Sequence, residues 1–392
     1  MNRRINIETV SSYNKRMKPK PDCIHYVGDR PCRHGRLCTD CEHYETARER
    51  ILIIKTAAVG DVLRTTSLLP ALTKAHPGAA VAWLTSPQAE PLLLNNRLIY
   101  RIYRLDPFAP TALKPQKFDL LINLDKEPVP CALASTLDAR RREGVLMSPH
   151  GTPVPANDRS VPYFALGLSD ELKFRRNTKS YHRLICEAVG LEYRGEKPSL
   201  FLDRSESDYG AAWLRRLGAG AGDTVIGVNT GAGESFAPKM TGAGGLAKLI
   251  VRLAERFPRA RLLLLGGPRE AELNGRLALT LDGLAADAGC GHTLRGFAGI
   301  VAGCDAVVTG DTLALHVAVA LGVPVVALFG PTCEQEIDLF GRGVKLVSSA
   351  ACAPCYRRSC SVEPYCMDLI PAEKIADAVK TALKKKRAKK PE

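Results

Sequence analysis

An aspartate that follows a small-residue loop is the first candidate for chemistry. The apolar residues 51–54 lead into the loop 55–60 and then to Asp61, at the start of a predicted helix. Because ligands of open α/β sheets bind beyond the carboxyl ends of the strands, Asp61 could serve there as a general base. Capping a helix is the commoner task of such an aspartate, so the residues alone favour capping. The loop is neither G-x-G-x-x-G nor a P-loop.

A second loop combines glycines with a lysine. It contains Gly231 and Gly233, whose backbone N–H groups can approach a phosphate closely, and it ends at Lys239, which adds a positive charge. Glycine-rich segments are also common in ordinary turns. By itself this loop is therefore weak evidence for a phosphate site.

A third segment places an acidic residue and a histidine at a predicted helix start. Asp311 and Thr312 precede an apolar helix that contains His316, four residues after Thr312 and hence on the same face. The N–H groups and the dipole at a helix start favour a diphosphate. A single histidine in a helix is usually a packing residue, but a position just after a predicted strand favours a role in binding.

These segments share a pattern of strand, loop and helix. Strands are predicted where apolar residues run without interruption, as in parallel sheets covered on both faces: 51–54, 80–84, 118–123, 224–229, 261–266, 305–309 and 323–329. Helices are predicted from Asp61, with a kink at Pro70, and at 87–94, 180–189, 245–257 and 312–321. The alternation predicts an α/β protein with two Rossmann-like, doubly wound domains facing a cleft. We divide the chain into a cysteine-rich extension, two Rossmann-like domains and a C-terminal helix with a basic tail, at 1–48, 49–205, 206–370 and 371–392.

Taken together, the three segments resemble the glycosyltransferases of family 9, over about residues 50–380. The family signature G-D-V-L-x-T is matched by residues 60–65, and its glycine loop with a lysine by residues 231–239. Its D-T/S-G-x-x-H signature, with a later V-P-V-V-A-L-F-G-P-T, is matched at 311–316 and 323–332. Leu313 stands where the family usually has glycine, and Met240 and Thr241 replace a common aromatic–proline pair.

The resemblance implies a GT-B fold and a transfer that inverts the anomeric centre without a metal or other cofactor. It also implies that 49–205 is the acceptor domain and 206–370 the nucleotide-sugar domain. Asp61 would be the base, Lys239 and the helix start would bind the diphosphate, and Glu270 would bind the ribose. The implied nucleotide-sugar residues are Gly60, Thr230, Gly231, Gly233, Lys239, Glu270, Asp311, Thr312 and His316. The family's usual donor is ADP-heptose, and its usual acceptor is a phosphorylated, lipid-linked saccharide of the lipopolysaccharide core.

Eight of the thirteen cysteines fall in two clusters. The first is predicted to bind a structural zinc ion, because four thiols with one C-x-x-C pair suit tetrahedral coordination and a short polar segment needs help to fold: Cys23, Cys32, Cys38 and Cys41. An iron–sulfur cluster and free thiols are the alternatives. For the second cluster metal binding, disulfides and simple packing stay open: Cys352, Cys355, Cys360 and Cys366.

Charge and composition limit the partners. The net charge of +14 predicts an anionic partner, although much of the excess lies near the chain ends. The longest apolar run, 313–329, is interrupted by Gly322 and Pro324 and is interpreted as a helix, a turn and a strand. With no signal peptide visible, we expect a cytoplasmic protein that can touch the inner face of a membrane.

Three other functions compete with this interpretation. A nucleic-acid-binding protein with a zinc module is disfavoured by an aromatic content of only 6%. A nucleotide-sugar-binding protein without activity stays an alternative because of Leu313. A GT-B transferase with another donor, such as UDP-N-acetylglucosamine, stays an alternative because the residues around Lys239 diverge.

Overall fold

The first half of the chain folds into a six-stranded sheet. The structure is a computed structural model that describes residues 18–220, 222–231 and 239–387. The strand order is β3-β2-β1-β4-β5-β6, and neighbouring strands are parallel except β5 and β6. The strands are β1 (Glu49–Ile54), β2 (Ala79–Thr85), β3 (Arg101–Arg104), β4 (Phe118–Asn123), β5 (Ala139–Met147) and β6 (Pro153–Pro155).

The second half repeats this arrangement in a parallel sheet with the order β12-β11-β10-β7-β8-β9. Its strands are β7 (Thr224–Asn229), β8 (Ala260–Leu265), β9 (Ala286–Asp287), β10 (Ala306–Gly310), β11 (Val325–Phe329) and β12 (Gly343–Val347). In both sheets the strand order reverses at the first strand, which is the Rossmann arrangement. The ligand crevices are therefore expected between β1 and β4 and between β7 and β10, at the carboxyl ends of the strands.

Helices cover the faces of both sheets. In the first domain they are α1 (Val59–Thr65), α2 (Leu68–Ala75), α3 (Ala109–Leu113), α4 (Pro128–Thr136), α5 (Val161–Ala165) and α6 (Tyr181–Ala188). In the second they are α7 (Arg204–Arg216), α8 (Ala243–Arg256), α9 (Ala271–Thr280), α10 (Leu294–Ala302), α11 (Leu313–Leu321) and α12 (Ala372–Arg387). Single turns of other helix types include Glu90–Leu92, Leu172–Arg176, Pro268–Glu270 and Glu334–Glu336.

The central strands are apolar at consecutive positions because helices cover both faces of each sheet. In β1, Ile51 and Ile53 pack in one core, Leu52 and Ile54 pack in the other, and all four are fully buried. Each such side chain contributes about 1.5–3 kcal/mol to folding. The run 313–329 forms α11, a turn at Gly322 with a φ of 73°, and β11, which confirms its interpretation. Among the described residues no helix is long and apolar enough to cross a membrane.

Two helix predictions need correction. The helix predicted over 87–94 is wrong, because only the turn Glu90–Leu92 forms before the chain turns at Asn95, whose φ is 64°. The helix predicted to begin at Asp61 begins at Val59. The predicted effect of Pro70 is confirmed as a break after Thr65, which leaves the proline in the first turn of α2, where its missing N–H costs little.

Two further features complete the molecule. Helix α12 packs on the second domain through Ile375, Val379 and Ala382, which belong to its core. A buried arginine, Arg295 of α10, ties the domains together. It donates to the main-chain oxygens of Pro91 and Phe201, at 2.7 and 2.6 Å, and pairs with Glu206.

Candidate active site

Asp61 lies in the first turn of α1, where the first domain meets the second. Its carboxylate accepts a hydrogen bond from the Ala58 N–H and forms an ion pair with Arg64, at 3.0 Å. About a third of its side chain, 32%, remains exposed. Because the N-cap of α1 is Ala58, the interpretation of Asp61 as the capping residue is wrong, although an acid in the first turn still interacts favourably with the helix dipole. A substrate can still reach the exposed part of the carboxylate.

The charges around Asp61 keep it ionised. Burial raises its pKa, but the nearby charges of Arg64 and Lys55 outweigh that effect and hold the pKa below its ordinary value. Arg64 is itself fixed, because its guanidinium lies 3.7 Å from the centroid of the Tyr181 ring. The Tyr181 hydroxyl lies 2.7 Å from that of Thr65. At neutral pH Asp61 is therefore an oriented carboxylate, the state that a general base needs.

A buried ion pair holds the loop before α1. The Lys55 ammonium lies 2.5 Å from a carboxylate oxygen of Asp125, and both side chains are almost fully buried. Asp125 also accepts hydrogen bonds from the backbone N–H and the hydroxyl of Thr56, at 2.5 and 2.6 Å. Sequence reasoning missed Lys55, Asp125, Arg64 and Tyr181 as site residues. The only signal was that Lys55 and Asp125 each come just after a predicted strand.

Helices α1 and α11 meet at Gly60 and His316. A Cβ atom on Gly60 would lie 2.5 Å from the His316 ring, so only glycine permits this approach. The His316 Nε2 lies 3.8 Å from a carboxylate oxygen of Asp311. Burial, helped by the charge of Arg64, lowers the pKa of His316 to about 4, so its ring is neutral at neutral pH. This contact between the domains brings His316 close enough to Asp61 to affect its pKa. Two residues that the sequence singled out in different domains therefore lie on the same side of the cleft contact.

Lys239 and Asp311 face each other beside the start of α11. The Lys239 ammonium donates to the Asp311 main-chain oxygen at 2.8 Å and lies 3.6 Å from its carboxylate. Burial raises the pKa of Asp311, but the charge of Lys239 outweighs that effect and holds the pKa below its ordinary value. Thr312 precedes α11, with its hydroxyl 3.0 Å from that of Thr309. The arrangement is a positive charge next to a helix start, which suits a diphosphate.

A pocket of about 300 Å³ adjoins this helix start. Its lining includes Gly231, Glu270, His292, Phe297, Thr312 and Leu313. The Glu270 carboxylate accepts a hydrogen bond from the Gly267 N–H at 2.8 Å and lies over Gly231, where a Cβ atom would come within 2.0 Å of it. Apolar walls with one carboxylate suit a nucleoside, whose ribose hydroxyls can donate to the acid. Leu313, which replaces the family's glycine, forms part of this wall.

One of the implied nucleotide-sugar residues is placed differently, and another lies outside the described residues. Thr230 is buried, and its hydroxyl bonds the Leu265 main-chain oxygen and the Asn274 side chain, at 3.1 and 2.5 Å. Its side chain therefore supports the loop from within. Gly233 lies outside the described residues, so no geometry is assigned to it.

The cysteine clusters are not assembled as metal sites. The thiols of the N-terminal cluster line one pocket of about 470 Å³ with His25, His34 and His43. Across residues 18–220, 222–231 and 239–387, no three His, Cys, Asp or Glu side chains are grouped to hold a metal ion. All thirteen cysteines belong to these residues and are free thiols.

Two Rossmann-type domains that meet where Gly60 contacts His316 have the architecture of the GT-B class. The profile of glycosyltransferase family 9 (heptosyltransferase) matches residues 111–366, more than half of the chain. The chain therefore belongs to glycosyltransferase family 9 and is a glycosyltransferase.

One curated relative and two solved structures are similar to this chain over most of its length. Lipopolysaccharide heptosyltransferase 1 of Pseudomonas aeruginosa is 28% identical over 337 residues, which cover 80% of this chain and 88% of that protein. A family 9 glycosyltransferase from Veillonella parvula has a TM-score of 0.65 at 18% identity, covering 86% of this chain and 97% of its own. The E. coli ADP-heptose lipopolysaccharide heptosyltransferase II has a TM-score of 0.63 at 17% identity, covering 86% and 99%. These structures confirm the predicted GT-B fold.

Proposed function

We propose that the protein transfers heptose from ADP-heptose to a hydroxyl of a lipopolysaccharide-core saccharide, with Asp61 as the general base. The observation that carries the proposal is the ionised, partly exposed Asp61 carboxylate at the contact with α11. The names of the relatives from Pseudomonas aeruginosa and E. coli support heptose and ADP-heptose.

In the proposed reaction the acceptor oxygen attacks the anomeric carbon as its proton passes to Asp61. The bond between that carbon and the diphosphate oxygen breaks on the opposite face, so the configuration inverts and ADP leaves. Lys239 and the start of α11 stabilise the charge that develops on the leaving diphosphate. The Arg64 guanidinium keeps the Asp61 carboxylate in position, and the Glu270 carboxylate accepts hydrogen bonds from the ribose; its place in the pocket wall supports this role.

The decisive experiment replaces Asp61 by Asn, which keeps the size but removes the base. We expect transfer to fall by about 10²–10⁴-fold, because a general base contributes that much. ADP affinity, measured by calorimetry, should stay within about twofold. The matched control is Asp138→Asn, an exposed aspartate just before β5, at the opposite end of the same sheet. Full activity in the Asp61 variant would exclude its role as base.

Nucleotide preference separates this proposal from its alternatives. ADP is expected to raise the melting temperature more than UDP, GDP or CMP, and Lys239→Ala should abolish the difference. Preference for UDP would retain the transferase and reject the donor. Transfer activity of any kind would reject a protein that only binds nucleotide sugars or nucleic acid.

A structural zinc ion at Cys23, Cys32, Cys38 and Cys41 is a separate proposal with no part in the reaction. Its support is that the four thiols line one pocket. Since they are not grouped as ligands, the thiols would have to approach one another on binding zinc. Metal analysis of purified protein should give one zinc per chain, lost in Cys38→Ser but kept in Cys131→Ser.

Contact with an anionic membrane surface is a further proposal, and it rests on the net charge of +14 alone.

A further inference from the structure

A small pocket lies where the two domains meet, at the end of α11 that is far from Thr312. Its volume is about 170 Å³. A water molecule takes roughly 30 Å³ in the liquid, so the pocket holds a ligand of about six non-hydrogen atoms. Lys197 and Pro198 line it from the first domain, and all its other lining residues belong to the second. The pocket is therefore complete only while the domains are in contact.

Two positive side chains line this pocket, and no acidic side chain does. They are Lys197 and Arg342, and the lining contains neither Asp nor Glu. Within the part of the chain that the structure describes, neither cation forms an ion pair. The acids that flank the lining along the chain, Glu196 and Asp338, each accept a main-chain N–H at 2.7 Å instead. The positive charge at this pocket is therefore not neutralised by the protein.

Arg342 is held in place by one nitrogen and keeps its other donors. Its Nη1 donates to the Gly322 main-chain oxygen at 2.9 Å. Among the described residues its Nε has no hydrogen-bond partner although it is buried. The guanidinium also covers the carbonyl end of α11, where the helix dipole alone would repel an anion. Arg342 therefore makes this end of the helix suitable for a negative group.

The rest of the lining is largely apolar. The aliphatic and aromatic side chains are those of Val319, Leu321, Val323, Leu339 and Phe340. The Phe340 ring lies 5.9 Å from the Lys197 ammonium and packs on His182 of α6, with ring centroids 5.2 Å apart. Apolar walls with a few convergent polar groups are typical of small-molecule sites. Phosphate suits such walls poorly, because its outer oxygens would lose their hydration without gaining a partner. The pocket fits an anion that is charged at one end and apolar at the other.

We propose that this pocket binds a small aliphatic carboxylate of about the size of butyrate. The carboxylate lies between Lys197 and Arg342 and accepts charge-assisted hydrogen bonds from both. The alkyl chain lies against Leu339 and Phe340. The pocket shares no lining residue with the one beside Thr312, so the inference does not depend on the proposed transferase function.

The test titrates butyrate into the full-length protein at constant ionic strength while the leucine and valine methyl signals are followed by NMR. We expect saturable shifts of the Leu339 signals, which are assigned with Leu339→Met. The dissociation constant should be on the order of 1 mM, because so small a ligand makes few contacts. Butyramide has the same shape without the charge and should bind at least about tenfold more weakly, because it loses the charge-assisted contacts.

Variants assign the binding to this pocket. Lys197→Met should weaken butyrate binding about tenfold. The matched control is Lys114→Met, which removes another exposed lysine of the first domain and should leave the binding unchanged. Ala320→Leu keeps both cations but fills the pocket, so it should abolish the shifts. Arg342 is left in place because it also holds the end of α11.

Several results would overturn the site. One is the lack of a saturable shift in the wild-type protein. Another is equal binding of butyrate and butyramide, because the cations would then recognise no charge. Tighter binding of inorganic phosphate than of butyrate would reject the apolar part of the ligand. Full butyrate affinity in Lys197→Met or Ala320→Leu would show that butyrate binds elsewhere.

Discussion

At the scale of single residues, the buried carboxylate of Asp125 pairs with Lys55 and holds the loop that leads to Asp61. Asp125 accepts three hydrogen bonds from Lys55 and Thr56, and these residues begin the loop that leads to Asp61. Replacing Asp125 by Asn would leave the Lys55 charge buried without a partner. We expect the free energy of unfolding to fall by about 3–5 kcal/mol in denaturant titrations.

A double variant tests the reason for that loss. In Lys55→Met combined with Asp125→Leu no charge remains buried, so much of the stability should return. Transfer should stay low, because the loop before Asp61 has lost its hydrogen bonds. A double variant as unstable as Asp125→Asn would contradict the explanation by an unpaired charge.

Two buried histidines predict acid sensitivity. Burial, with the charge of Arg64, lowers the pKa of His316 to about 4 and that of His182 to about 3. In the unfolded chain histidine titrates near 6.5, so the unfolded state binds more protons between pH 6.5 and 4. The free energy of unfolding should therefore decrease as pH falls through this range, by up to about 3 kcal/mol for His316.

The check is a pair of unfolding measurements at pH 7.0 and 4.5 on wild type and His316→Gln. The variant should lose less stability on acidification because one of the two protonation sites is gone. The depressed pKa values of Asp61 and Asp311 affect stability only at lower pH, where these carboxylates take up protons. An unchanged pH dependence in the variant would show that His316 titrates normally in the folded protein.

At the scale of elements, the contact of α1 with α11 brings the two halves of the site together. A methyl group on Gly60 would overlap the His316 ring, and because that ring is buried, either the ring or the helix that carries it would have to shift. Gly60→Ala should therefore reduce kcat/KM at least about tenfold and change the small-angle scattering profile. Gly275→Ala is the matched control, since Gly275 lies in α9 with no atom within 4 Å of a Cβ, and alanine there should stabilise the helix slightly.

The central strands could be predicted from the sequence because both of their faces are covered. Strand β4 was predicted with the right bounds, and so was β7. Strand β5 was missed because three arginines follow its first residue, Ala139. The side chain of Arg142 turns back and donates to main-chain oxygens at the end of α4. Its charges hide a strand whose Val145 is fully buried.

The site could be predicted only in part. Local patterns pointed to Asp61, Lys239 and His316, which the fold does bring to one cleft. The residues that orient them depend on partners far along the chain: Lys55 meets a carboxylate 70 residues away, and Thr65 meets a hydroxyl 116 residues away. No spacing rule in a single sequence links residues so far apart, so these orienting contacts become visible only in the folded structure.

At the scale of the whole molecule, Arg295 of the second domain fixes the position of the first domain relative to the second. Its guanidinium bonds two main-chain oxygens and a carboxylate on different elements, which a lysine cannot reach together. Arg295→Lys should lower the free energy of unfolding by about 2 kcal/mol and separate the melting of the two domains in calorimetry. Arg252→Lys, on the surface of the second domain, should melt in the same way as wild type. A single unchanged transition in the Arg295 variant would show that the domains are coupled elsewhere.

The pairing of Lys239 with Asp311 has a consequence for turnover. In the proposed reaction, a diphosphate that binds Lys239 has to compete with the carboxylate that already lies beside that ammonium. After transfer the same carboxylate competes with the spent nucleotide and favours its departure. Asp311 would thus act as a built-in competitor that weakens product inhibition, at the expense of a lower affinity for the donor.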